Sequence, residues 1–201
     1  MQFKHAPAAV SAMFDDPNLV SAAGLVPMLR LARSAGLDEL AQSRLSVPTD
    51  KGANAGGKVM ALVAGMLAGA DSIDDMNVLR HGGMGRLFDR MYAPSTLGSF
   101  LREFRFGHVR QLDAVASRTL VNLAPAAPLL QIRDGERVMV DVDDTIIEVH
   151  GYQKQGASFG YSGVRGLNAL VATASTTTSA PVIRQIPDLN PKQVEQPTLF
   201  D

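Results

Sequence analysis

The sequence predicts an α+β fold, with a helical region over 1–130, strands over 131–186 and a polar tail over 187–201. Apolar residues recur at helical spacing as far as Leu123 and alternate from Arg137 onward, and Pro125 and Pro128 stand where the period changes. A chain of 201 residues suffices for one good core, or for a helical domain joined to part of a second.

Each helix carries its own signals. The stretch 24–35 has Pro27 in its first turn and Gly36 behind its end, the usual order of helix punctuation. A short helix over 37–45 stops at SVPTDKGANAGG, and 57–69 is apolar nearly all round, which predicts the buried central helix. Ser72-Ile-Asp-Asp75 has capping-box spacing, so Asp74 and Asp75 read as first-turn charges. HGGMGRLF (81–88) reads as a loop, since no strand precedes its glycines. Pro94-Ser-Thr96 opens a helix through Phe104 with Leu97, Phe100, Leu101 and Phe104 inward. A further helix runs from Phe106 to Leu123 with Val109, Leu112, Val115, Ala116 and Leu120 inward. The two together suit a helix-turn-helix or a plain three-helix core piece. Asp134-Gly135 marks a turn; strands follow over 138–149, 164–176 and 180–186, and the glycines of QKQGASFGYSG suit a hairpin between the first two.

Forty-six per cent hydrophobic and 19% charged residues describe an ordinary globular chain. The absence of Cys excludes disulfides and thiolate metal sites and suits a reducing, cytoplasmic setting. The opening MQFKHAPAAVSAMF has no long apolar stretch, so no signal peptide is read. The longest apolar run, 59–70, falls well short of the roughly 20 residues of a membrane span. The net charge of −1 conceals a segregation. Arg80, Arg86, Arg90, Arg102, Arg105, Arg110 and Arg118 face only Asp89, Glu103 and Asp113 in sequence, so 80–118 carries +4 and the remainder −5. Arginine is the side chain that grips phosphate in a bidentate fork, which points to duplex DNA; a solvated helical face accounts for the charge as well.

VMVDVDDTIIEVHG (138–151) combines strand-forming residues with Asp141, Asp143 and Asp144. Alternation places Asp141, Asp143 and Thr145 on one face and Val140, Val142, Asp144 and Ile146 on the other. Apolar flanks on both faces predict a central strand, where carboxylates need a partner such as Mg²⁺ or Mn²⁺. An edge strand is the plain alternative. DVDDT also resembles the nucleophile motif of haloacid-dehalogenase-like phosphatases, with Asp141 as nucleophile and Asp143 as acid/base. In those enzymes the aspartates end the strand; here TIIEV carries it on, and only 58 residues follow Asp143.

Longer stretches carry a second resemblance. FDDPNLV (14–20), AGLVPMLRLARSAGL (23–37), LVAGMLAGADSIDDMNVLRHGGMGRLF (62–88), APSTLGSFLREFRFGHVRQLDAVASR (93–118) and VDVDDT with HGYQKQGASFGYSGVRGLNALVAT (150–173) resemble insertion-sequence DDE transposases of the thirteen-eighty family type. The likeness runs from about residue 14 to 183. It implies a helical DNA-binding region followed by the first strands of a ribonuclease-H-like mixed sheet. It also implies metal-dependent phosphoryl transfer on the terminal inverted repeats of a mobile element, with two Mg²⁺ or Mn²⁺ ions held by an Asp-Asp-Glu set. The family's D-x-T step maps the first acidic ligand onto Asp143, with Asp141 beside it.

The second Asp and the Glu of that set have no counterpart here: Asp188 and Glu195 lie in the proline-rich tail. The expectation is therefore a copy cut short within its catalytic domain and inactive by itself, cytoplasmic and nucleoid-associated when bound to DNA. A different class remains beside it, a DNA-binding or interaction protein without chemistry. Tyr161 and Arg165 in the glycine-rich hairpin are candidates for DNA-backbone contacts or for capping that hairpin. His81, His108 and His150 have no partners at ligand spacing and read as structural or exposed. An open sheet edge leaves a homodimer as a possible assembly. Gln196-Pro-Thr-Leu-Phe200 resembles the peptide by which replication and repair proteins dock on the bacterial sliding clamp.

Overall fold

A computed structural model of the chain describes residues 16, 18–88, 90–127, 129–130, 132–150, 156–160, 162–179 and 181–186. Among these, every helix precedes residue 124 and every strand follows residue 138. The helices are α1 (Leu25–Ser34), α2 (Leu37–Arg44), α3 (Ala55–Leu67), α4 (Pro94–Arg102) and α5 (Phe106–Leu123), joined by 3-10 segments at Asp50–Gly52, Asp74–Arg80 and Gly82–Arg86. The strands are β1 (Met139–Glu148), β2 (Ser158–Phe159), β3 (Arg165–Ser175) and β4 (Val182–Ile186).

The central helix is α3, as its apolar composition predicts. On one side its Met60, Ala61 and Ala64 pack with Leu25 and Leu29 of α1, Met76, Leu79 and Met84 of the 3-10 segments, and Leu97 of α4. On the other, Ala55 and Val59 join Ala41 of α2, Leu45 and Val47 just beyond it, Phe100 of α4 and Val115 of α5. The Ser72–Asp75 box forms: an Asp75 carboxylate oxygen accepts both the N–H and the hydroxyl of Ser72. The segment it opens is 3-10 rather than α-helical. The glycine stretch 81–88 also closes into a 3-10 turn. Its glycines permit close approach: the Gly83 N–H donates to the Leu19 carbonyl at 2.7 Å, and a Cβ on Gly82 would lie 2.6 Å from that oxygen.

The inward face of α5 differs from the apolar expectation. Val115 is buried and Leu112 packs beside it, but Val109 and Ala116 are exposed. Polar residues turn inward instead. Gln111 accepts the Ser46 N–H at 3.0 Å and donates to the Ser46 hydroxyl at 2.8 Å, and Asn122 donates to the Ala35 carbonyl at 3.0 Å. These bonds lie on the flank of α5 opposite Val109, which faces out. On α4, Leu97 and Phe100 are buried as expected while Leu101 is exposed.

The sheet is antiparallel throughout among the described residues, not mixed, because consecutive long strands are joined by hairpins rather than crossovers. β3 is its centre. All ten residues of β1 pair with 166–175, and β2 and β4 share the opposite side of β3 at its two ends. The two-residue β2 was not legible in the glycine-rich hairpin. Gly166 lies between Glu148 and Ser158, where a Cβ would come within 2.6 Å of the Ile147 carbonyl oxygen. The Thr176–Ser179 turn closes β3 onto β4, with each residue's N–H bonded to the other's hydroxyl at 3.1 Å. The expectation of a central, buried β1 is therefore corrected. Among the described residues β1 is an edge strand, and its Val140 and Val142 are 63% and 50% exposed and belong to neither buried cluster.

Candidate functional site

The carboxylates of β1 take their positions from its pleat. Asp141, Asp143 and Asp144 are all exposed, so the burial cost that called for a metal partner does not arise. The backbone direction follows from one ladder bond. Val149 donates its N–H to the Arg165 carbonyl at 3.0 Å, so odd-numbered residues of β1 turn their backbone groups toward β3 and even-numbered ones toward the free edge. The N–H of Asp144 accordingly points away from the sheet, and Oδ1 of Asp143 accepts it at 2.9 Å. Asp143 thus covers one of the edge donors.

Asp144 lies on the other face, where Oδ2 accepts from Nδ2 of Asn168 at 3.1 Å. Val142, Asp143, Asp144, Asn168 and Leu170 line a shallow depression of about 370 Å³ there. The sequence reading paired Asp141 with Asp143 and missed Asn168. The available signal was an amide interrupting the apolar run GLNALVAT.

Mg²⁺ or Mn²⁺ held for phosphoryl transfer needs several converging oxygen ligands. Among the described residues, no group of three His, Cys, Asp or Glu side chains is placed to hold a metal ion. Asp141 and Asp143 share a face, and Asp143 is already occupied by a backbone donor. The described residues therefore do not fit a two-metal centre.

The arginines form the second candidate. Arg80, Arg86, Arg90, Arg102, Arg105, Arg110 and Arg118 are all exposed, and none is in an ion pair with a described residue. Arg80 donates to Asn77 at 3.2 Å, Arg102 to Ser99 at 3.3 Å and Arg118 to the Ala114 carbonyl at 3.4 Å, all neutral partners that leave the charge uncompensated. Arg102 ends α4, Arg105 precedes α5 and Arg110 lies in its first turns, so all three flank the corner between the two helices. There, Nδ1 of His108 accepts the Arg105 N–H at 3.0 Å and caps α5, so His108 is structural, as expected. The Arg110 guanidinium lies 5.3 Å from the Phe106 ring centroid, and Phe106 and Val109 are both exposed beside it. The first turn of α5 holds no acidic residue and Glu103 is the one acid between α4 and α5, so this corner carries more arginine than carboxylate beside its apolar groups.

Arg165 starts β3, half-buried and paired with Phe159 of β2. Tyr161 and the 196–200 peptide lie outside the described residues. No helix among the described residues is long and apolar enough to cross a membrane. Compared with protein-family models, curated proteins and solved structures, the chain matches none of them.

Proposed function

We propose that this chain binds duplex DNA through the arginine-bearing segment 80–118, as the DNA-binding part of a DDE-type transposase. The observation that carries the reading is the set of seven exposed arginines, none in an ion pair with a described residue. Uncompensated guanidinium groups on a folded surface release counterions from DNA when they meet phosphate. The α4–α5 corner adds Phe106 and Val109, apolar groups of the kind that contact thymine methyls in a major groove.

The sheet supports the ribonuclease-H-like part of the reading in one respect. Its first long strand carries acidic residues at its middle, where the resemblance places the first metal ligand. Asp143 takes that role in the proposal and Asp141 is its neighbour. The proposal assigns the chain DNA binding without strand cleavage of its own, because Asp141, Asp143 and Asp144 do not converge on a common point and no group of three ligand side chains among the described residues is placed to hold a cation. A filter-binding titration of purified chain against duplex DNA across salt concentrations tests the binding; absence of binding at low salt removes the role.

A further inference from the structure

We infer that the free edge of β1 is a docking site for an extended, lysine- or arginine-bearing polypeptide segment, which would add to the sheet as a further strand. The inference rests on the sheet and is independent of the DNA-binding proposal.

β1 is ten residues long and paired only with β3 among the described residues. The backbone groups of Val140, Val142, Asp144, Ile146 and Glu148 point to the open side, as the Val149–Arg165 ladder bond requires. Such an edge is a template for strand addition, with main-chain bonds giving affinity and alternate side chains giving specificity.

Charge selects the occupant. Asp141, Asp143 and Asp144 are exposed and in no ion pair with a described residue, and neither β1 nor its ladder partner 166–175 contains a basic residue. Arg184, the base on β4, is engaged by Asp113. A second copy of this chain meets like charges in several registers. Antiparallel pairing through the even-numbered backbone groups allows two-fold registers centred on a residue of β1. Centring on Asp141, Asp143 or Asp144 sets that carboxylate opposite itself, and centring on Val142 sets Asp141 opposite Asp143; centring on Thr145 sets no two carboxylates opposite each other, and the sedimentation measurement below decides that case. Like charges directly opposite destabilise a sheet.

A strand with basic residues at alternate positions meets Asp141 and Asp143 on one face, and β-branched residues between them extend the other face beside Val140 and Val142. The Asp143 carboxylate would leave the Asp144 N–H for the incoming cation and free that donor for the new ladder. In the isolated chain the same contact guards the edge against neutral strands.

The probes are two blocked heptapeptides, Thr-Val-Lys-Val-Lys-Val-Thr and its Glu-for-Lys counterpart, titrated into the isotope-labelled 201-residue chain and followed by amide NMR. The lysine peptide is expected to shift the 140–148 amides saturably and to bind at least tenfold more tightly than the glutamate peptide. Asp141→Asn/Asp143→Asn is expected to abolish that preference. Val142→Pro removes an outward donor without taking a bond from β3, so it is expected to weaken binding while the helical amides stay unchanged. Equal effects of both peptides on wild type, or shifts confined to the helices, overturn the proposal. A concentration-dependent dimer in sedimentation that Val142→Pro abolishes also overturns it, by making a second copy the occupant.

Discussion

Arg184 of β4 and Asp113 of α5 form an ion pair at 3.3 Å that ties the sheet to the helical region. Asp113 lies on the outward side of α5, the side from which Gln111 and Asn122 turn away toward α1 and α2. One helix therefore faces the bundle with one flank and the sheet with another. Arg184 is 40% exposed, so solvent screens the pair strongly. Arg184→Ala and Asp113→Ala are each expected to lower stability by no more than about 1 kcal/mol in urea unfolding. A loss several times larger would show that the pair is embedded in a tighter contact between the two regions.

Lys58 is a buried cation at the centre of the helical region. Its ammonium donates to the Lys51 carbonyl at 2.6 Å and lies 5.2 Å from the Phe100 ring centroid. Burial pushes its pKa below the usual lysine range, and Asp50 partly offsets this. In the folded chain the proton is thus bound less tightly than in the unfolded one. The cost of burying the charge is fully present below the lowered pKa and disappears as pH rises through the window up to the ordinary 10.5. The difference in stability between wild type and Lys58→Met is expected to shift in favour of wild type across that window, measured by urea unfolding at stepped pH. A difference that stays constant would contradict the lowered pKa.

Glu136 acts in the opposite pH range. It accepts the Thr177 hydroxyl and N–H and the Arg133 N–H, which together hold its carboxyl below the usual range and clasp the turn before β1 to the end of the sheet. A depressed carboxylate contributes stability that is present above its unfolded pKa and is lost as pH falls through the folded one. Acid titration by NMR is expected to move the Thr177 amide at a lower pH than free glutamate titrates, and Glu136→Gln is expected to remove that transition. An unchanged Thr177 amide through the acid range would sink the assignment.

The helical half was largely legible because its signals are local. The span of α5 is the predicted one to the residue, and α1 and α2 follow Pro27, Gly36 and their apolar spacing. The facing of α5 was not legible, since Val109 and Gln111 trade places through bonds to Ser46, 65 residues away in sequence. The position of β1 failed for the same kind of reason. Its alternating apolar residues are compatible with burial on either face, but the order of the strands that puts β1 at an edge and the packing that leaves its faces exposed are both set by distant parts of the chain. The exposed arginines were legible from charge alone; their lack of ion pairs with described residues required the structure.

Under the proposed function no strand cleavage is expected of this chain, because no group of three ligand side chains among the described residues is placed to hold a metal ion. The chain, incubated with Mg²⁺ or Mn²⁺ and DNA carrying candidate element ends, is expected to leave the DNA uncut, with Asp143→Ala indistinguishable from wild type. Metal-dependent nicking that disappears in the variant would show a complete active site.

The most direct test of the central claim is the salt dependence of duplex binding for wild type beside the Arg102→Ala/Arg105→Ala/Arg110→Ala variant. The wild type is expected to bind at low salt with affinity falling steeply as salt rises. The variant is expected to bind more weakly, with a slope shallower by about 0.9 for each phosphate contact removed. No wild-type binding at low salt, or the same affinity and slope for the correctly folded variant, would contradict an arginine-borne DNA interface at the α4–α5 corner.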